Sequence, residues 1–312
     1  MKVFVTGACG QVGSHVTELL LERGDQVLGI DNLATGRREH LAENANLKVE
    51  IGSIADRDLV DRLVGDFKPD VIVHTAASYK DPEDWYSDAT TNCVGGANLV
   101  QAARNGKVGR FIYFQTALCY GLKPTQQPIR LDHPKNPANS SYAISKTAAE
   151  DYLEISGLDY VTFRLANVVG PRNVSGPLPI FYQRLKDGKR CFVTKARRDF
   201  VFVKDLARTV LRAADGTGHG AYHFSSGKDI AIQDLYDSVV SAMELKSYPV
   251  PEVRDLGPDD APSILLDPSR TFADFGPVKF TGLGETVAAA VAYYQQHGVQ
   301  GEFTHLKHTD KK

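Results

Sequence analysis

The chain lacks the features of a secreted, membrane-spanning or nucleic-acid-binding protein. Its four cysteines are Cys9, Cys93, Cys119 and Cys191, and none forms a C-x-x-C pair or sits at zinc-finger spacing from a histidine. We therefore expect free thiols in a reducing compartment and no metal site. No apolar run approaches the ~20 residues of a membrane span, and the first residues lack the apolar core of a signal peptide. With a formal net charge of -2, the composition favours a cytoplasmic protein that binds neither nucleic acid nor a membrane.

The first half of the chain alternates between strand-like and helix-like patterns. Strands are expected at 2–6, 26–31, 47–52, 71–77, 110–116 and 159–165. Helices are expected at 11–23, 56–65, 89–105 and 141–156. This alternation predicts an α/β fold with a doubly wound parallel sheet of the Rossmann type and helices on both faces.

The second half is less regular, because prolines interrupt it from residue 171 onward. Helices are expected near 178–187, 205–214, 232–245 and 284–296, and a strand at 200–203. A chain of 312 residues suggests about two domains. We predict a Rossmann domain over 1–165 that returns at about 200–228, and a smaller, discontinuous C-terminal substrate-binding domain over 166–199 and 229–312.

A glycine-rich loop follows the first strand and opens the first helix. Residues 6–13 have the pattern T-G-x-x-G-x-x-G. Gly7 permits the tight turn, Gly10 lets the backbone approach a pyrophosphate, and Gly13 lets the helix pack close to the strand. The helix N-terminus offers unpaired N–H groups to the phosphates. We predict a dinucleotide site in which Gln11 and Val12 also take part.

An acidic residue at the end of the second strand selects the dinucleotide. Asp31 is placed to accept hydrogen bonds from the ribose hydroxyls of the adenosine and to repel a 2′-phosphate. This favours NAD over NADP. Arg37 and Arg38 lie downstream and are able to pair with a phosphate, so NADP remains the alternative.

A second pattern, Tyr142-x-x-x-Lys146, follows the fifth strand on a predicted helix. Residues four apart share a helix face, so we expect the lysine ammonium to lower the pKa of the phenol. A phenolate near neutral pH is a general base for an alcohol hydroxyl. Thr116, at the carboxyl end of the fifth strand, faces the ligand crevice and is able to donate to the same oxygen. Tyr182 and Lys186 repeat the spacing outside the predicted sheet, where we expect a structural role.

Together these patterns resemble the extended short-chain dehydrogenase/reductases. More narrowly, they resemble the nucleotide-sugar epimerases and dehydratases typified by UDP-glucose 4-epimerase. The resemblance covers nearly the whole chain. Further matching segments are DNLATGRREHL (31–41), HTAA (74–77), the N-x-x-G of 92–95, TALCYG (116–121), RLANVVGPRN (164–173), RRDFVFVKDLA (197–207) and LLDPSR (265–270).

The resemblance implies the remaining residues of the site. Cofactor contacts are implied for Asn32, Leu33, Ser53, Ile54, Thr75, Ala76, Ala77 and Asn92, besides Tyr142 and Lys146. Contacts with a sugar nucleotide are implied for Asn167, Arg198 and Arg254, together with Thr116 and Tyr142. An arginine fork suits the oxygens of a diphosphate. The resemblance also implies a homodimer built from the helices near 92–105 and 141–156.

Several positions depart from the family pattern. Ser53 replaces an aspartate that contacts adenine, and Gln115 replaces a small, serine-like residue beside the strand-end threonine. Ala117 and Leu118 stand where the 4,6-dehydratases have Asp-Glu, so the acid–base pair for removing water is missing. Cys119 is one position away from the catalytic cysteine of the C-3/C-5 epimerases, and we expect it to be an inward-packed strand residue.

What remains needs only NAD and a base for a hydroxyl group. The resemblance then implies a nucleotide-sugar 4-epimerase that works through a transient 4-keto sugar and tightly bound NAD. A UDP-sugar is the favoured substrate, and bacterial surface polysaccharide (O-antigen or lipopolysaccharide) biosynthesis is the favoured setting. Two alternatives stay open: a nucleotide-sugar oxidoreductase, dehydratase or decarboxylase of the same family, and a non-catalytic NAD-binding regulator.

Overall fold

The computed structural model describes residues 1–79, 81–138, 140–257 and 260–299. Residues 300–312 of the predicted substrate-binding domain lie outside the described residues. The strands are β1 (Lys2–Thr6), β2 (Gln26–Asp31), β3 (Leu47–Ile51), β4 (Val71–His74), β5 (Arg110–Thr116), β6 (Tyr160–Leu165), β7 (Asn167–Val169), β8 (Phe192–Thr194), β9 (Arg197–Arg198), β10 (Phe200–Phe202), β11 (Gly220–Phe224), β12 (Ile230–Ala231), β13 (Glu252–Arg254) and β14 (Ser263–Ile264).

The helices alternate with the strands in the first part of the chain. They are α1 (Gln11–Glu22), α2 (Arg57–Phe67), α3 (Trp85–Asp88), α4 (Gly95–Asn105), α5 (Ser141–Glu154), α6 (Pro177–Lys186), α7 (Val203–Ala214), α8 (Ile232–Ala242), α9 (Ser269–Phe275) and α10 (Leu283–His297). A π-helical segment, Ala89–Val94, joins α3 to α4, and a 3-10 helix, Ala117–Tyr120, follows β5.

The main sheet has seven parallel strands in the order β11-β6-β5-β4-β1-β2-β3. The predicted doubly wound parallel sheet is therefore confirmed. The strand order reverses direction between β1 and β4, with β2 and β3 on one side and the later strands on the other. In an open α/β sheet, ligands bind beyond the carboxyl ends of the strands at such a point.

Helices cover both faces of this sheet. One face packs on α1 and α7, through Val16 and Leu206 among others. The other face packs on α2, α4 and α5, through Leu63, Leu99 and Leu153. Successive side chains of a strand point to opposite faces, which explains why the inner strands are apolar on both. None of the helices in the described part of the chain is both long and apolar enough to cross a membrane.

Three differences from the sequence expectation concern the main sheet and the helices beside it. β4 ends at His74 instead of at residue 77, because the Thr75 hydroxyl turns back to donate to the Thr6 carbonyl at 2.7 Å. The helix expected over 89–105 begins with the π-helical segment. β11 has no clear sequence pattern of its own, and its strand conformation comes from pairing with β6.

A second apolar core lies outside the main sheet. It is formed by α6, α8, α10 and β8, with Leu178, Leu235 and Val287 fully buried. These elements come from the two segments expected to form the substrate-binding domain. The division of the chain into two domains stays a prediction.

Candidate active site

The loop between β1 and α1 is closely packed glycine backbone. Gly7 has a φ of +65°, and a Cβ on it would lie 2.7 Å from an amide nitrogen of the loop after β4. A Cβ on Gly13 would collide with the Gly7 carbonyl oxygen, and one on Gly10 would lie 3.2 Å from the same atom. The first N–H groups of an α-helix have no partner within the helix. Gln11 and Val12, at the start of α1, therefore present donors that suit a pyrophosphate.

Asp31 has the geometry expected of a ribose-binding acid. Its carboxylate accepts the Cys9 N–H at 2.9 Å and the Leu33 N–H at 2.8 Å. Burial raises the pKa of Asp31, and these two hydrogen bonds oppose the rise. A carboxylate has about four acceptor sites, so capacity remains for the ribose hydroxyls. The glycine loop and Asp31 thus fit a dinucleotide with an unmodified ribose.

Arg37 and Arg38, the two arginines that kept NADP as an alternative, already interact with other groups of the protein. The Arg37 Nε lies 3.6 Å from the Glu39 carboxylate. The Arg38 Nη1 donates to the Leu41 carbonyl at 2.6 Å. A 2′-phosphate would have to compete for these groups beside the carboxylate of Asp31, so the geometry favours NAD.

The predicted adenosine-side residues mainly order their own loops. The Asn32 Oδ1 accepts the Ala34 N–H at 3.0 Å, and the Ser53 Oγ accepts the Ala55 N–H at 3.2 Å. Ile54 is buried and packs against α4, where a Cβ on Gly95 would lie 2.6 Å from it. Leu33 has a φ of +58°, so this loop turns sharply after β2. The contacts of these residues with a cofactor stay predictions.

The loop after β4 lies directly against the glycine loop. The Ala76 N–H donates to the Thr6 hydroxyl at 3.3 Å, next to the Thr75 bond to the Thr6 carbonyl. Ala77 continues this loop toward Ser78. The structure thus brings Thr75 and Ala76 beside the glycines, and the cofactor contacts of Thr75, Ala76 and Ala77 stay predictions.

Asn92, on the π-helical segment, holds that loop and α5 together. Its Oδ1 accepts the Ser78 N–H at 2.8 Å, and its Nδ2 donates to the Ser78 carbonyl at 3.0 Å and to the Ser145 Oγ at 3.1 Å. The residue is only 1% exposed. These bonds indicate a positioning role, and a direct cofactor contact of Asn92 stays a prediction.

The three predicted catalytic residues come from β5 and α5. Thr116 ends β5, where its Oγ1 accepts the Leu118 N–H at 3.2 Å and keeps its own proton for donation. Tyr142 and Lys146 lie one turn apart on α5, which Ser140 caps by accepting the Ala143 N–H at 3.3 Å. The Tyr142 side chain is partly buried. This places a hydroxyl donor and a phenol at the carboxyl edge of the main sheet.

The expected lowering of the Tyr142 pKa by Lys146 is wrong for this structure. Burial raises the pKa of Tyr142, and the nearby Tyr79 and Asp88 raise it further. Lys146 is 2% exposed, its Nζ lies 4.1 Å from the centroid of the Tyr113 ring, and burial lowers its pKa to about 7. Burial thus disfavours both the phenolate of Tyr142 and the ammonium of Lys146.

The structure brings two predicted substrate residues together. The Asn167 N–H and Nδ2 both donate to the Asp199 carbonyl, at 2.9 and 3.2 Å. Arg198, the neighbour of Asp199, forms an ion pair with Asp260 and donates to the Ala261 carbonyl at 2.7 Å. Arg198 is therefore ordered by a carboxylate, and its contact with a sugar nucleotide, like that of Asn167, stays a prediction.

Arg254 lies on a separate two-stranded sheet formed by β8 and β13. Its Nη2 pairs with the Glu252 carboxylate at 2.9 Å, and its guanidinium lies 4.2 Å from the centroid of the Phe192 ring. The residue is exposed. Its contact with a sugar nucleotide stays a prediction.

Tyr182 and Cys119, which the sequence analysis expected to be structural residues, are both buried. Tyr182 is buried in the second core and packs against Tyr294, with ring centroids 5.1 Å apart. Cys119 is fully buried, and burial raises its pKa to about 12, so it is a poor proton donor or acceptor. It lies in the 3-10 helix after β5 instead of in the strand, which corrects the expected element.

Several residues of the site carried no recognised sequence signal. Tyr79 and Asp88 both raise the pKa of Tyr142, and neither belongs to a recognised sequence motif. Asp260 is 62 residues from its partner Arg198, so no local pattern reveals the pair. Glu150 lies four residues after Lys146 and is fully buried.

Known proteins share the features of this chain over most of its length. Residues 3–224 match the model of a family described as the NAD dependent epimerase/dehydratase family. The UDP-glucose 4-epimerase of Mycolicibacterium smegmatis is 33% identical over 315 residues, which cover 95% of this chain and 99% of that protein.

Two solved structures from Bordetella bronchiseptica are also similar. The enzyme WbmH, in complex with NAD+, is 75% identical, with a TM-score of 0.94 over 96% of this chain and 99% of that chain. The enzyme WbmG, in complex with NAD and UDP, is 42% identical, with a TM-score of 0.89 over 98% of each chain.

Proposed function

Because this chain belongs to the NAD dependent epimerase/dehydratase family, we propose that it is a nucleotide-sugar 4-epimerase. The observation that supports the proposal is that β5, which ends at Thr116, packs against α5, which carries Tyr142 and Lys146 one turn apart. Ala117 and Leu118 offer no acid or base beside them, and Cys119 is buried with a raised pKa. The chemistry supported is therefore proton transfer at one sugar hydroxyl.

NAD is the cofactor of the family. When bound, it would accept a hydride from the sugar and later return the hydride to the sugar. In this chain Gly7, Gly10 and Gly13 let the backbone approach the pyrophosphate, and Asp31 accepts from the adenosine ribose. We propose that the cofactor stays bound through turnover, because the net reaction consumes no redox equivalent.

The proton steps fall to residues of β5 and α5. Tyr142 takes the proton of the sugar 4-hydroxyl as the 4-keto sugar forms, and returns it after the sugar has turned in the pocket. Thr116 donates a hydrogen bond to the reacting oxygen. Burial raises the Tyr142 pKa, and we propose that the Lys146 ammonium, one turn away on α5, works against this rise during turnover, since an opposite charge nearby favours ionisation.

The substrate we propose is a UDP-sugar, held through Asn167, Arg198 and Arg254. An arginine fork pairs with diphosphate oxygens, and Arg198 is ordered by Asp260 before any ligand arrives. The names of the similar proteins support the nucleotide, since one is a UDP-glucose 4-epimerase and another was crystallised with NAD and UDP. We propose bacterial surface polysaccharide biosynthesis as the setting and the cytoplasm as the location.

We also propose a homodimer that uses the outer face of α5. Ile144, Tyr152 and Ile155 on or just after this helix are exposed apolar side chains, and Val94 at the end of the π-helical segment is another. Several exposed apolar side chains close together in the chain favour a protein interface. The division into a cofactor domain and a substrate domain, as predicted from the sequence, is kept as part of the proposal.

Replacement of the proposed base tests this function. We expect Tyr142→Phe to lower the epimerisation rate of a UDP-sugar by at least about a hundredfold, because general-base catalysis is lost while the ring is kept. Tyr182→Phe, with the same spacing to a lysine, is the matched control and should retain most of the activity. Equal rates for Tyr142→Phe and the unmodified protein, measured by NMR of the sugar products, would exclude the assignment.

A further inference from the structure

One face of β5 points at the helix that carries Tyr142 and Lys146. Successive strand residues alternate between faces, so Tyr113 and Gln115 share a face while Phe114 packs in the opposite core. The Tyr113 hydroxyl donates to the Lys146 carbonyl at 2.9 Å. The next residue on that face, Gln115, is 1% exposed and reaches α5 one turn further along.

The group that Gln115 meets there is the buried carboxylate of Glu150. The Gln115 Nε2 donates to the Glu150 Oε2 at 3.1 Å, and the Arg164 Nε donates to the Glu150 Oε1 at 3.0 Å. Arg164 is the β6 residue directly opposite Gln115 in the sheet. Lys135 adds a second cation, 3.5 Å from the Glu150 Oε2. Glu150 is fully buried, so its position is fixed by these partners.

The other end of the Gln115 amide contacts the strand-end threonine. The Thr116 N–H donates to the Gln115 Oε1 at 2.8 Å. Gln115 thus uses an acceptor toward Thr116 and a donor toward Glu150. A serine has a single hydroxyl on a shorter stem and is unable to span both groups. The departure of this chain from the serine-like residue of the family therefore has a structural consequence.

We propose that Gln115 and Glu150 are positioning residues that join Thr116 to the helix of Tyr142 and Lys146, so that the hydroxyl donor and the proton-transferring pair keep one geometry. Only the expected effect of these residues on the catalytic rate rests on the proposed function. Misplacement of a catalytic group by about 1 Å is enough to cost up to about a hundredfold in rate. The contact itself is independent of what the protein catalyses.

The first test uses Gln115→Met, which keeps side-chain length and burial but removes both hydrogen bonds. The Glu150–Arg164 pair stays intact, so the fold should be retained. We expect hydrogen exchange of the Thr116 amide, followed by NMR with 15N-labelled threonine, to be faster in this variant. Gln101→Met, which removes an exposed glutamine of α4, is the control and should leave the exchange unchanged. Unchanged protection in Gln115→Met would overturn the contact.

The second test is kinetic. We expect Gln115→Met to lower kcat by about tenfold with KM within about twofold, and to have almost no further effect in a Thr116→Ala background, since the positioned hydroxyl is then gone. The same loss in both backgrounds would overturn the positioning role. If the unmodified protein does not epimerise sugars, the proposed function fails, while the exchange result still decides whether Gln115 holds Thr116.

Removing the charge of Glu150 should shift the pH dependence of kcat, which the loss of a purely structural residue would not do. Lys146 lies one turn from Tyr142 and one turn from Glu150 on α5, its Nζ lies over the Tyr113 ring on β5, and its charge acts on His74 of β4. Glu150 raises the pKa of Lys146. In Glu150→Gln, the Lys146 pKa falls, so the limb of the pH–kcat profile that depends on Lys146 should move to lower pH by about half a unit or more. An unchanged pH–kcat profile in Glu150→Gln would overturn the role of Glu150. If Glu150→Gln does not fold, the two Gln115→Met tests still decide the proposal.

Discussion

At the scale of single residues, we expect Gly7 in the loop after β1 and Gly13 in the first turn of α1 to control dinucleotide binding. Gly7 adopts a left-handed backbone conformation that L side chains rarely take, and Gly13 packs on the Gly7 carbonyl. Both glycines belong to the T-G-x-x-G-x-x-G motif, which is recognisable in the sequence because its residues are close together in the chain. The ion pair of Arg198 with Asp260 is not local, and only the folded chain reveals it.

Gly13→Ala tests this close packing. The added methyl group would push α1 away from the loop, so we expect less NAD in the purified protein and a loss of stability of about 1–3 kcal/mol. Gly284→Ala is the matched control, since Gly284 also lies near a helix start and a Cβ there would meet no atom of the described residues within 4 Å. Calorimetry and the NAD released on denaturation measure both effects, and equal NAD content in the two variants would contradict the account.

At the scale of elements, the helices and strands with a clear apolar repeat were predictable from the sequence. Elements that depend on pairing with a distant strand were not. β1, α1, β5 and α5 were placed within one or two residues, because each has a clear apolar repeat with capping or turn residues. β11 follows a glycine-rich segment, and it pairs with β6, which lies about sixty residues earlier in the chain. The π-helical segment was likewise expected to be ordinary helix, since side-chain periodicity does not distinguish one wider turn.

The π-helical segment presents Asn92, and Asn92→Ala tests whether this element holds the cofactor loop. The variant leaves the Ser78 N–H and carbonyl without their partner, which costs about 1–3 kcal/mol for each buried group left unpaired. We expect a lower Tm together with a reduced NAD content. Gln101→Ala, on the exposed side of α4, should change neither. A lower Tm with full NAD content would show that Asn92 stabilises the fold without shaping the site.

At the scale of the whole molecule, the exposed apolar face of α5 predicts a dimer. Ile144 is 50% exposed and Tyr152 is 47% exposed on a helix whose inner face carries the proposed catalytic residues. We expect the unmodified protein to sediment as a dimer and the double variant Ile144→Asp/Tyr152→Asp to sediment as a monomer, because charges are costly in an apolar interface. Val250→Asp alters another exposed apolar side chain and should stay dimeric. An unmodified protein that sediments as a monomer would refute the interface.

The most direct measurement of the central claim is a turnover assay without added cofactor. The purified protein is incubated with UDP-glucose, UDP-N-acetylglucosamine and a set of GDP- and dTDP-sugars, with products identified by proton NMR and reduced nicotinamide followed by absorbance. We expect at least one UDP-sugar to be converted to its 4-epimer while no reduced nicotinamide accumulates. Stoichiometric reduced cofactor, loss of carbon dioxide, or no conversion of any UDP-sugar would contradict it.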